Sequence, residues 1–274
     1  MSVRFPQLSR SWRVLALLAL GCHHAPAADL AAQWLKVGAY DSDGPHGVFA
    51  RTEGREARLG EAVTLLNLQP KTARNIERAA LLLDEVAGAD SGDELGISAR
   101  YLRARLEEVH RPEAQPAEAA RRYQEIIRTG GAHPLAQQAA VRLSLLQLYP
   151  LDETNTPSER VASAEALGAG LGDPAAIRDH AMLVGQACLY YQLPLAQARR
   201  HLERALAAGI LNPSIRADLL VTLGEIAREL GDAPSAEQSY RAYLRENPQG
   251  DRTSAVKRRL AELPAPPVAS PSPP

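Results

Sequence analysis

Any chemistry in this 274-residue chain must come from seven histidines, two cysteines and scattered carboxylates, and their spacing does not favour catalysis. His23, His24, His46, His110, His133, His180 and His201 contain one adjacent pair and no metal-ligand spacing beyond it. The His23-His24 pair reads as part of a flexible tether, with contact to lipid headgroups or a metal as the alternative. Cys22 and Cys188 are too few for a disulfide framework or a four-ligand zinc site. There is no Gly-x-Ser-x-Gly elbow, phosphate loop, dinucleotide fingerprint or zinc-protease helix. Asp90-Ser91-Gly92-Asp93 has residue types found around some serine nucleophiles, but without a matched histidine it reads as a turn and a helix start. Asp41-Ser42-Asp43-Gly44-Pro45 places two aspartates before a glycine, as calcium loops do. The other ligands and the terminal glutamate are missing, and a solvated turn is expected. Glu107-Glu108 and Asp152-Glu153 read as solvated charge. Arg121-Arg122, Arg199-Arg200 and Arg258-Arg259 read as outer solvated faces, with forked recognition of an acidic partner as the alternative. The expectation is a non-enzyme with no cofactor and no metal.

Charge narrows the partners. With 31 basic and 32 acidic side chains the formal charge is −1, which excludes a polybasic nucleic-acid or anionic-lipid binder as the default. Aromatics are only 4% while alanine is abundant, a balance that favours close-packed helices over a sheet sandwich. Cys188 lies in Val184-Gly185-Gln186-Ala187-Cys188-Leu189, an apolar helical stretch, and reads as a small buried hydrophobe.

The first residues are an address. Arg4, Arg10 and Arg13 precede an apolar run from Val14 to Leu20, then Gly21 and Cys22, which is the anatomy of a secretory signal too short to span a bilayer. Leu18-Ala19-Leu20-Gly21-Cys22 resembles the lipobox of bacterial lipoproteins, with Ala19 where Leu is usual. The resemblance implies cleavage after residue 21, acylation of Cys22, and a lipid anchor in the cell envelope. With His23 following rather than an aspartate, it further implies the outer membrane. The alternative is an ordinary cleaved signal with its cut in Ala25-Pro26-Ala27-Ala28. Residues 22–54 are then a tether and N-terminal segment, with a short helix over Ala28 to Tyr40.

From Arg55 onward prolines and glycines punctuate the chain at helix-length intervals. Pro70, Pro116, Pro134, Pro157, Pro174, Pro194, Pro213 and Pro234 each precede an alanine- and leucine-rich run, where the missing amide hydrogen costs a helix nothing. Gly88, Gly130, Gly172, Gly209 and Gly231 fall where runs end. Paired, the segments give helical hairpins starting near Arg55, Glu94, Pro134, Pro174 and Pro213, a period of about 40 residues that points to a solenoid. Thr253 to Leu263 reads as a helix capping the open end, and 264–274 as an extended, disordered Pro/Ser-rich tail.

The last hairpin carries the sharpest pattern. Leu220, Leu223, Gly224 and Ala227 share one face of its first helix. Gly231-Asp232 makes the turn, Ala236, Tyr240 and Tyr243 follow, and Pro248 closes the unit. This resembles the tetratricopeptide repeat. Gly185 with Ala198, and Ala119 with Tyr123, repeat parts of it over residues 55–263. The resemblance implies an all-α, right-handed α-α superhelical solenoid of about five hairpins with a C-terminal capping helix. Gly224 and Ala236 would let helices approach, and Tyr240 would fill the groove against the next unit. A related helical solenoid and a plain antiparallel bundle are the alternatives.

Such solenoids bind peptides or protein segments in a groove lined by first helices. By the family's geometry the exposed groove positions are Asp179, Met182, Gln186, Tyr190, Asp218, Val221, Glu225 and Arg228, with Tyr190 and Arg228 the expected contacts. The expected function is an envelope-anchored scaffold for other envelope proteins or peptide segments, with no nucleic-acid partner. The competing readings are an enzyme-associated or carbohydrate-binding accessory protein, which a convergence of carboxylates and aromatics would mark, and a purely structural spacer.

Overall fold

The computed structural model describes residues 30–149 and 154–264, and among these the regular structure is thirteen helices with no strand. Cys22, His23, His24, Asp152, Glu153 and the tail from residue 265 lie outside the described residues. The chain divides into two compact units, one ending at Gly131 and the other starting at Ala132.

The first unit contains α1 (Leu30–Gly38), α2 (Asp43–Phe49), α3 (Arg55–Asn67), α4 (Ala73–Ala89), α5 (Glu94–Arg105) and α6 (Pro116–Gly130). Each of α1 to α6 packs on a neighbour in the sequence, α2 on α3, α3 on α4, α4 on α5 and α5 on α6. One core runs through it, from Trp34, Val37 and Phe49 through Leu59, Val63 and Leu83 to Leu102 and Leu106. The N-terminal segment therefore contributes core from α1 onward. Only Asp41 and Ser42 form the turn expected over residues 41–45. Asp43 already opens α2, because Pro45 fits a first helical turn and Phe49 gains a buried seat against Trp34 at 5.1 Å between ring centres.

The second unit contains α7 (Pro134–Leu148), α8 (Pro157–Gly168), α9 (Pro174–Tyr190), α10 (Leu195–Ala207), α11 (Pro213–Glu229), α12 (Ala233–Glu246) and α13 (Thr253–Ala261). Again neighbours in sequence pack on each other, from α7 on α8 through α12 on α13. Helix starts are set chemically. Proline occupies the first turn of α6, α7, α8, α9, α11 and α12, and in all of these but α6 a side chain also caps a first-turn amide. Asp173 accepts from the Ala176 amide at 2.8 Å, Asp232 from the Ser235 amide at 3.1 Å, and Thr156 with Glu159 closes a capping box.

The close approach of helices rests on small residues. Ala198 and Ala236 are fully buried, and Gly185 and Gly224 meet side chains of the following helix directly. A methyl group on Gly224 would lie 2.3 Å from the Tyr240 ring, and one on Gly185 would lie 2.7 Å from Leu202. Tyr240 thus fills the space over Gly224 in its own hairpin rather than only the gap to a following unit.

Candidate functional site

The candidate surface is built on α9 and α11, and the structure treats its expected residues unequally. On α9, Gln186 is exposed and Tyr190 is 59% exposed, while Asp179 is half-buried beside Arg178 at 2.9 Å and Met182 leans on the core. Tyr190 is the last residue of α9 and meets two further tyrosines. Its ring centre lies 5.8 Å from Tyr149 and 5.0 Å from Tyr191, both edge-on, and Tyr149 stacks on Tyr191 at 6.1 Å. The Tyr191 hydroxyl donates to the Leu148 carbonyl, and Arg160 stands 6.0 Å over the Tyr191 ring. Burial, with Tyr191 and Tyr190 nearby, pushes the Tyr149 hydroxyl up to about 12, so it stays a neutral donor. The result is an aromatic patch with a rigid base (Tyr149, Tyr191) and an exposed tip (Tyr190). Reading α9 alone finds Tyr190 and misses Tyr149, which ends α7 and reaches the patch because α7 packs on α9.

On α11 the expected residues divide: Asp218 and Arg228 are exposed, Glu225 is half-buried and Val221 is buried. Val221 is 4% exposed and packs with Tyr240 and Val256, so it is a core residue and not a groove position. The cause is α13. Arg252, just ahead of α13, reaches Asp218 at 3.1 Å, Arg259 of α13 reaches Glu225 at 2.5 Å, and Val256 of α13 joins the cluster that buries Val221. Each of these pairs is separated by 34 residues (218 to 252, 225 to 259). Glu225 also accepts from the Tyr240 hydroxyl at 2.7 Å and from Arg228 at 3.2 Å. Burial and this bond raise the Tyr240 hydroxyl to about 12. Arg228 stays exposed at the edge of that cluster.

The same tyrosine device recurs in the first unit. Tyr123, at the position read as equivalent to Tyr240, is fully buried and donates to Glu108 at 2.7 Å, across the same 15-residue separation. Ala119, one turn earlier, is also fully buried. Glu107 and Glu108 therefore are not solvated charge. After α5 the chain continues as a widened π turn over Leu106–His110, and this holds both side chains inward. Glu107 is 2% exposed and accepts from Arg103 and Arg111, and Arg111 also pairs with Glu77 at 2.6 Å. Burial raises the Glu107 carboxyl, but the bonds from Arg111 and Arg103 outweigh it and hold it below its ordinary value. An α-helical period separates adjacent residues by about 100° and cannot foresee two neighbouring carboxylates turned inward.

The arginine pairs lie on outer faces, with Arg121, Arg200 and Arg258 largely exposed, while their side chains also pair within the chain. Arg199 bonds Asp232 and Ser235 at 2.8 and 2.9 Å, Arg200 pairs with Glu165 at 2.9 Å, and Arg122 with Glu118 at 2.7 Å. Cys188 is fully buried, and burial raises its thiol to about 11, which makes it unreactive. Asp93 caps α5 at the Gly96 amide, 2.7 Å away, so the Asp90–Asp93 stretch is a turn and a helix start. Pro248 is exposed just after α12. Among the described residues no group of three or more His, Cys, Asp or Glu side chains is placed to hold a metal ion. No protein-family model and no curated protein matches this chain.

Proposed function

We propose that this chain is a lipid-anchored protein-interaction scaffold of a bacterial cell envelope. In this reading its helices form a right-handed solenoid of about five tetratricopeptide-like hairpins, closed by α13. The observation that carries the binding role is the tyrosine patch. An exposed aromatic held on a rigid base loses little conformational freedom when it docks a partner, and tyrosine and arginine are the side chains most often found at binding hot spots. The 34-residue register between α11 and α13 supports the repeat, since it equals the length of a tetratricopeptide unit. So do the paired Glu–Tyr bonds of the two units.

The anchor is proposed on Cys22, from the lipobox-like run before it. None of the described helices is long and apolar enough to cross a membrane, and acyl chains on Cys22 are the attachment proposed. Metabolic labelling with palmitate and fractionation test this part: wild type should carry label and sediment with outer membranes, and Cys22→Ser should do neither. Equal behaviour of the two removes the anchor. Capture of envelope proteins on the wild-type chain against Tyr190→Ala tests the patch. Partners lost with Tyr190→Ala support the scaffold, whereas an unchanged set of partners assigns binding elsewhere.

A further inference from the structure

The first unit carries a recess that the scaffold reading does not use. A cleft of about 470 Å³ opens between the end of α1, the start of α2 and the end of α3, within the size range of small-molecule sites. One wall is Trp34, 7% exposed and fixed by its indole bond to Glu56 at 3.0 Å. Tyr40, 75% exposed, stands at the rim with Asp41 and Asp43, and Asn67 and Gln69 face them from the end of α3.

Two features of this cleft bear on what it could hold. Elsewhere many carboxylates are tied down, Glu107, Glu108, Glu118, Glu225 and Asp232 among them. Here the side chains of Asp41, Asp43, Asn67 and Gln69 make no hydrogen bond or ion pair with any described residue. The second feature is the backbone of Tyr40. Helix α1 ends with the Asp41 amide bonding the Lys36 carbonyl and the Tyr40 amide bonding the Val37 carbonyl, both at 3.0 Å. That arrangement places Tyr40 at φ 68°, the left-handed region where glycine is the favoured residue. An aromatic is held at the rim at a conformational cost.

We propose that this cleft binds a neutral oligosaccharide segment, with Tyr40 as the stacking platform and Asp41, Asp43, Asn67 and Gln69 addressing ring hydroxyls. Sugar hydroxyls both donate and accept, and they match carboxylates, which only accept, together with primary amides, which do both. The C–H face of a pyranose needs an exposed ring, which Tyr40 offers beside the apolar wall of Trp34 and Val37. A metal ion would use the two carboxylates and leave both amides and the ring idle. A polyamine would leave the amide N–H groups idle. The proposal does not rest on the scaffold reading.

The test uses the full chain in a detergent without a sugar headgroup. Chitotriose, cellotriose and maltotriose are titrated by calorimetry and by tryptophan fluorescence, for which Trp34 is the reporter in the cleft. Saturable binding of at least one trisaccharide is expected. Tyr40→Gly relieves the left-handed backbone, so it should fold at least as well as wild type by urea unfolding and yet lose binding. Asp43→Asn, which keeps the shape, should weaken binding about tenfold, as expected for the loss of a charged acceptor. Failure of all three sugars to bind, binding that survives Tyr40→Gly, or saturation by spermidine or calcium in their place would each overturn the proposal.

Discussion

Replacing Gly224 by alanine tests the packing argument at its tightest point. The added methyl would sit 2.3 Å from Tyr240 Cε1 and 2.6 Å from Cδ1, about an ångström inside ordinary contact. The ring has no free direction in which to yield, because Tyr240 is fully buried and its hydroxyl is held by Glu225 at 2.7 Å. Overpacking of this kind costs about 1–3 kcal/mol, while Gly→Ala inside a helix returns roughly 0.5–1 kcal/mol of propensity. Gly88 in α4 supplies the control, since nothing lies within 4 Å of the position its methyl would take. Gly88→Ala should therefore stabilise by about 0.5–1 kcal/mol, and the difference between the two variants should read the overpacking alone, about 1–3 kcal/mol. Urea unfolding followed by circular dichroism measures both. Tyr240→Leu combined with Gly224→Ala should recover most of the loss through a favourable coupling term. A Gly224→Ala protein as stable as Gly88→Ala, or a double variant showing no coupling, would refute the placement of Tyr240 over Gly224.

Three further outcomes follow from the same geometry. Glu107→Gln should destabilise the first unit by about 3 kcal/mol in urea unfolding, because it leaves the inward-facing Arg103 and Arg111 without their shared carboxylate. His110 is pushed down to about 4 by burial, with Lys71 and Arg105 adding to it. A base depressed on folding contributes stability that is complete above its unfolded value near 6.5 and is lost as pH falls from there through 4, so His110→Asn should flatten the urea midpoint over that window. Gln192 follows α9 with φ 54°, in the bonding pattern that Gly231 provides after α11, and Gln192→Gly should stabilise the second unit by up to about 1 kcal/mol in thermal unfolding.

Helix placement was legible from local chemistry. A proline removes one amide and fixes one torsion wherever it stands, so Pro134, Pro174 and Pro213 mark the starts of α7, α9 and α11 without reference to anything distant. The small residues at Gly185, Gly224, Ala198 and Ala236 were legible for a similar reason. A helix pair joined by a short turn must bring particular positions together, and only small side chains fit there. The burial of Cys188 and the capping roles of Asp93 and Asp173 belong to the same local class.

Side-chain partners across helices were not legible, because they depend on how each helix is rotated and on what covers it. Val221 looked like a groove residue from its place on α11 and became core, clustered with Tyr240 of α12 and Val256 of α13. Glu107 and Glu108 looked solvated, and a single widened turn at the end of α5 drew both inward to arginine and tyrosine. The tyrosine patch joins Tyr149 to Tyr190 and Tyr191 across 41 residues or more of chain, and the cleft gathers Tyr40, Asp43 and Gln69 from three helix ends. By itself the sequence determined that this chain is a series of close-packed helices, and where each begins, since those properties reside in torsions and volumes within a few residues. Which faces remain open for a partner was decided only by tertiary structure, because exposure is what is left once every neighbouring helix has taken its place.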